Sequence, residues 1–172
     1  MVTETTSIRL AESIAEQLGD RSLACAESVT AGRVAATLAC VEGAVEFFRG
    51  GTVVYQESMK RHLLDVRSAS VLSLEAAEEM ALGATRLLHA DAAVATTGLA
   101  GHAAEDGVPG GTVFIATCVD GQVRSTRHHF DDDPERVCAA AAEQALADLL
   151  QHLTARDDEQ RANVACCTLA AG

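Results

Sequence analysis

Two hydrophobic periodicities alternate along this chain. From Ser7 to Leu18 the apolar residues Ile8, Ala11, Ile14, Ala15 and Leu18 recur at helical spacing, and Gly19 supplies a natural stop. Ser22 to Ala26 is a short apolar run that breaks into Glu27-Ser28-Val29-Thr30 before an alanine-rich helical stretch reaching about Val41. That order reads strand, turn, helix. Gly50 to Tyr55 predicts a second strand of β-branched residues, and a polar helical segment containing Lys60 follows it.

Leu74 to His89 is the longest clean helical pattern, with Ser73 as N-cap and Glu75, Glu78 and Glu79 well placed in its first turns. Asp91 to Thr97 is a run of Ala, Val and Thr without polar alternation, as expected of a strand covered on both faces. A Gly-rich loop, Gly98 to Gly111, leads to two further strands, Thr112 to Val119 and Gln122 to Phe130. Between them Asp120-Gly121 is a two-residue hairpin signal. The last helix should start near Pro134 behind Asp131, Asp132 and Asp133 and run to Leu153. The pattern predicts an α/β fold, a three-layer α/β/α sandwich around a mixed, mostly parallel sheet. Residues 1–153 are expected to form the domain, and 154–172 a C-terminal tail that frays or packs on a neighbouring subunit.

Composition narrows the partners. At 172 residues the chain builds one core, and 3% aromatic residues mean that small aliphatic side chains fill it. A net charge of -12 and no basic stripe argue against nucleic acid, although a few local cations suffice for a small anion. The apolar runs are too short for a bilayer, so no membrane span is expected. Six cysteines without CxxC spacing and no secretory signal point to reduced thiols in the cytoplasm. The close pairs Cys166-Cys167 and His128-His129 do not suit one metal site, since neighbours on a strand face opposite ways; no metal is expected. Alanine-rich helical faces and the apolar end of the tail suggest a homodimer or higher homo-oligomer.

Candidate chemistry concentrates where the first strand turns into a helix, at Ala26-Glu27-Ser28-Val29-Thr30-Ala31-Gly32. A serine there can attack a carbonyl while N–H groups at the helix start hold the oxyanion. Ser and Thr before a helix are also ordinary N-caps. No His-Asp pair stands nearby to activate the serine, and Lys60, desolvated, could take its proton, with Tyr55 relaying or orienting. Equally, Lys60 and Arg61 could simply solvate a helix face.

The segment Ala26 to Gly32, then Phe47-Phe48-Arg49-Gly50-Gly51, Tyr55 and Lys60, Thr97-Gly98-Leu99-Ala100-Gly101, and Gly111-Thr112-Val113 occur in a familiar order. From about Ile8 to Leu150 the chain resembles the CinA C-terminal domain family, in its stand-alone short form. That family includes nicotinamide-nucleotide amidases, which convert nicotinamide mononucleotide to nicotinic acid mononucleotide and ammonia in pyridine nucleotide salvage. The resemblance implies no metal and no cofactor. It implies Ser28 as nucleophile, Lys60 as general base and Tyr55 as the residue orienting them. By the same likeness Thr30, Ala31 and Gly32 flank the oxyanion, Thr97, Gly98 and Gly101 form the second loop around a pyridine nucleotide, and Arg49 binds or braces.

The chain departs from the family pattern in places. Ala31 stands where glycine is usual and Val29 where cysteine is usual. His102-Ala103-Ala104 and Val108-Pro109-Gly110 replace a loop with a cation, and Cys138 and Ala139 occupy commonly arginine positions. Two alternatives therefore stand beside the amidase: a divergent amidase for another carboxamide, and a non-catalytic nucleotide-binding module.

Overall fold

A computed structural model describes the backbone of residues 2–170 and the side chains of 5–162. Its elements are α1 (Val2–Leu18), β1 (Leu23–Glu27), α2 (Arg33–Ala39), α3 (Ala44–Phe47), β2 (Phe48–Val53) and α4 (Glu57–Leu64). They continue with α5 (Leu74–Leu88), β3 (Ala92–Gly98), β4 (Thr112–Val119), β5 (Gln122–His129) and α6 (Pro134–Ala170). The strands form one sheet in the order β2-β1-β3-β4-β5. β1 pairs in parallel with β2 and β3, β4 is antiparallel to β3, and β5 is antiparallel to β4, so four strands share a direction and β4 opposes them.

Period-two alternation divides the strands between two cores. Leu23, Cys25, Val94 and Ile115 face one way and meet Ile14 of α1, Leu38 of α2 and Leu146 and Leu149 of α6. Ala24, Ala26, Ala93, Ala95 and Ala116 face the other, where α5 lies against them through Ala76, Ala77, Met80, Ala81 and Ala84. The sheet is sandwiched between helical layers, as its unbroken apolar strands require.

Local signals set several boundaries. Ser73 Oγ accepts from Ala76 N at 3.1 Å, Asp133 Oδ1 accepts from Arg136 N at 3.1 Å, and Asp120 and Gly121 both take positive φ, 50° and 77°, at the hairpin. Other boundaries differ from expectation. β2 starts at Phe48 rather than Gly50, because Phe48 already pairs with Leu23; the register then slips before Ala24 pairs with Gly50, leaving Arg49 as the extra residue of a bulge. The helix expected to stop at Leu153 continues without a break, and residues 154–162 pack on their own chain rather than fray. Asp157 accepts from Arg21 at 2.9 Å and from Gln17 at 2.7 Å, and Gln160 reaches Asp120 at 3.3 Å. The charged stretch read as a tail is a helix face tied to α1 and the hairpin. The apolar end of the expected tail, from Asn163 onward, lies outside the residues with described side chains. Among the described residues no helix is long and apolar enough to cross a membrane.

Candidate active site

The turn after β1 is built on a side chain that sequence reasoning passed over. Glu27, 1% exposed, ends the strand and folds its carboxylate under the start of α2. Oε2 accepts from Thr30 Oγ1 at 2.7 Å, Gly32 N at 2.9 Å and Val34 N at 3.1 Å; Oε1 accepts from Ala35 N at 2.8 Å. The Cys25 thiol also points at Oε1, at 3.6 Å, and burial followed by this carboxylate pushes its pKa upward. A short helix whose N-cap, Gly32, has no side chain thereby has its first donors satisfied from below. The only hint in the sequence is an acidic residue at the end of an apolar run.

This arrangement fixes which groups of Thr30 and Gly32 are already engaged. The Thr30 hydroxyl and the Gly32 N–H serve Glu27, and Thr30 Oγ1 also meets Thr96 Oγ1 at 2.7 Å, so these two groups are not free for an oxyanion. With the Thr30 proton committed to the carboxylate, Thr96 is the donor of that pair. Among the described residues the backbone N–H groups of Val29 and Thr30 have no hydrogen-bond partner, whereas Ser28 N donates to Thr96 O and Ala31 N to Ser28 O. Ala31 takes a left-handed conformation, φ 52°, in the place where the resemblance expects glycine.

Ser28 and Lys60 lie at the same edge of the sheet. Ser28 follows β1, where Val54 N donates to the Glu27 carbonyl, and Lys60 sits one turn into α4, which β2 feeds. They are 5% and 4% exposed. Burial lowers the Lys60 pKa from its usual value, against the opposing pull of Glu57 and Glu105. No hydrogen bond joins the two side chains among the described residues; Lys60 Nζ donates instead to the Tyr55 carbonyl at 3.5 Å. Tyr55 is 73% exposed, and it is its backbone carbonyl rather than its ring that meets the lysine.

The second loop is only partly what was expected. Thr97 is fully buried and donates to Val71 O at 2.9 Å, toward the segment between α4 and α5; the strand neighbour Thr96 is the one facing the serine turn. A one-residue difference on a strand reverses the face. Gly98 has φ 151° and a Cβ there would stand 2.4 Å from Thr112 O, so close approach of backbones demands glycine. Gly101 uses its carbonyl to accept from Gly111 N at 3.1 Å. Arg49 lies at the start of β2, four residues before Val53, or about 13 Å of strand away from the serine edge. Within one chain it is not a member of this site.

On α6, Cys138 donates its thiol to Val29 O at 2.9 Å, placing an uncharged side chain over the serine turn. The nearby cations are engaged: Arg33 pairs with Glu135 at 3.9 Å and Arg136 with Asp133 at 3.4 Å. A cleft of about 930 Å³ opens at the opposite edge of the sheet, between Leu18, Arg21, Asp91 and Asp120. Its Arg21 bridges Asp120 and Asp157 and it holds neither the serine nor the lysine, so its size does not make it the reacting centre.

Residues 7–153 match the family model of the CinA C-terminal domain. The chain is 39% identical over 158 residues to protein YdeJ of Escherichia coli, with 88% of each chain covered. It is 33% identical over 157 residues to a CinA-like protein of Thermotoga maritima, covering 87% of this chain and 38% of the relative. It thus spans most of one relative and well under half of the other. Among solved structures, a CinA superfamily protein from Klebsiella pneumoniae superposes with a TM-score of 0.82 at 35% identity, covering 86% of this chain and 98% of that one.

Proposed function

We propose, for a chain that belongs to the CinA C-terminal domain family, that it hydrolyses the carboxamide of nicotinamide mononucleotide to nicotinic acid mononucleotide and ammonia. The observation that carries this reading is a nearly buried serine and a nearly buried, desolvated lysine at one edge of the sheet. A lysine with a lowered pKa is more readily neutral, and only the neutral amine accepts a proton.

In this mechanism Ser28 Oγ attacks the carboxamide carbon as Lys60 Nζ takes the hydroxyl proton. The unpaired N–H groups of Val29 and Thr30 supply the donors for the oxyanion, each worth about 3 kcal/mol in such a role. Lys60 returns the proton to the amide nitrogen, the C–N bond breaks and ammonia leaves an acyl ester on Ser28. Water, losing a proton to Lys60, then releases the carboxylic acid and restores the serine. Glu27 holds the turn in shape, and Tyr55 positions the lysine through its carbonyl.

Ammonia release from the mononucleotide tests this directly. Ser28→Ala and Lys60→Met should each lower kcat by about a thousandfold or more, with the circular-dichroism spectrum preserved. Activity within threefold of the parent in either variant overturns the mechanism. A second reading draws on Cys138, whose uncharged thiol covers the serine turn while Arg33 and Arg136 are paired with carboxylates. It is an amidase for a carboxamide lacking the phosphate. Faster turnover of the riboside than of the mononucleotide would favour it.

A further inference from the structure

The strands β1, β2 and β3 run parallel with β1 between the other two, so the segments that follow them leave the sheet at one edge. Lys60, beyond β2, flanks the serine turn on one side, and the Gly-rich loop beyond β3 flanks it on the other. That loop has a fixed course. Gly111 N donates to the carbonyls of Leu99 at 2.8 Å and Gly101 at 3.1 Å, and a Cβ on Gly110 would collide with the carbonyls of Gly101 and His102, so the two legs are pressed together. The tip is a miniature hairpin. Glu105 N donates to Val108 O at 3.0 Å and Val108 N to Glu105 O at 2.8 Å, around Asp106 and Gly107 with φ 51° and 78°. Val108 packs on the core shared with α5 and pins this hairpin to the sheet.

Glu105 is the charge that the hairpin carries to the site. The residue is exposed and makes no ion pair among the described residues, yet Lys60 feels its charge from the other side of the serine turn. Glu57, the other acid that Lys60 feels, is already paired with Arg61 at 2.7 Å. The edge thus holds one carboxylate without a cation of its own, opposite a buried lysine, with the serine turn between them.

The substrate proposed above has a charge to match. Its pyridine nitrogen is bonded to ribose, so the ring is a cation, and that nitrogen lies one ring carbon away from the carbon bearing the carboxamide. When Lys60 takes the serine proton it becomes a second cation beside the first. A carboxylate near both offsets their repulsion, and it contributes little to a carboxamide on an uncharged ring.

We propose that Glu105 determines ring specificity: the loop beyond β3 sets its carboxylate against the pyridinium, and the chain thereby selects carboxamides carried on a positively charged ring. For its substrate, this role of Glu105 rests on the function proposed above.

Nicotinamide mononucleotide and its reduced form test the role, because the dihydropyridine ring is uncharged while carboxamide, ribose and phosphate are the same. Binding is measured by calorimetry in the Ser28→Ala chain, which the mechanism leaves without a nucleophile. The oxidised form should bind about fivefold more tightly than the reduced form, the upper range for an ion pair that keeps contact with water. Adding Glu105→Gln should erase that preference by weakening the oxidised form alone. Glu16→Gln, which removes an exposed charge from the cleft at the opposite edge, should change neither. Equal losses for both forms, a preference that survives Glu105→Gln, the same loss from Glu16→Gln, or no binding of either form overturns the assignment. Ammonia release by the parent chain separates this from the reaction itself. A parent that releases none, yet whose Ser28→Ala variant binds with a preference that Glu105→Gln erases, has lost the amidase reading and kept the recognition of ring charge. A parent that releases ammonia while Glu105→Gln leaves the preference intact has kept the reaction and lost the role of Glu105.

Discussion

Replacing Glu27 by Gln isolates the charge and second acceptor of the side chain beneath the serine turn without changing its shape. At 1% exposure the carboxylate collects three donors on Oε2, at 2.7, 2.9 and 3.1 Å, and the Ala35 N–H and Cys25 thiol on Oε1, at 2.8 and 3.6 Å. Glutamine has one acceptor oxygen. Placed where Oε2 was, it keeps three donors but loses the charge assistance on each, and its NH2 then faces the Ala35 N–H. One buried donor left against another costs about 1–3 kcal/mol, and weakening charged hydrogen bonds to neutral ones adds up to about 1 kcal/mol each. The sum is about 4 kcal/mol, against roughly 1 kcal/mol for loss of an ordinary cap. In a chain of this length that corresponds to a melting point lower by roughly 10 °C. Equilibrium unfolding in urea, followed by circular dichroism because the chain has no tryptophan and one tyrosine, measures it. A loss under about 1 kcal/mol would refute the carboxylate as the keystone of this turn.

Ala31→Gly should stabilise the protein by about 1 kcal/mol, because φ 52° is costly for alanine and free for glycine; a lower urea midpoint would contradict this. Gly51→Ala should destabilise by about 1–3 kcal/mol in the same assay, since a Cβ there stands 2.4 Å from Cys25 Sγ and 3.2 Å from Ala35. His152 is buried against Thr117 at 2.8 Å, and burial, aided by Arg124 and Arg156, lowers its pKa from 6.5 to about 4. The unfolded chain therefore binds a proton in that window that the folded chain does not. Stability should fall as pH drops from 6.5 toward 4, by at most about 1.4 kcal/mol per unit from this residue, and His152→Gln should flatten the slope. In the proposed mechanism Lys60 acts as the neutral amine, and burial lowers its pKa from 10.5, so kcat for ammonia release should rise with pH along a limb ending below 10.5. A flat profile from pH 6 to 10 would remove the lysine as base.

What could be read from the chain alone were features decided within a few residues. Ser73 caps α5, Asp133 precedes Pro134 at the start of α6, and Asp120-Gly121 turns the hairpin, because each depends on local dihedrals and one short hydrogen bond. The family order of Ser28, Lys60 and the glycines was equally visible, and the unbroken apolar strands implied a sheet covered on both faces. Tertiary structure alone decided which neighbour faces the turn, Thr96 rather than Thr97, and that a bulge leaves Arg49 at the far end of its strand. It also decided that Glu27 takes the Thr30 hydroxyl and the Gly32 N–H, and that residues past Leu153 stay helical on contacts with Gln17, Arg21 and Asp120. Strand parity, register and the partners of a buried charge are set by groups tens of residues apart, and no local pattern encodes those distances.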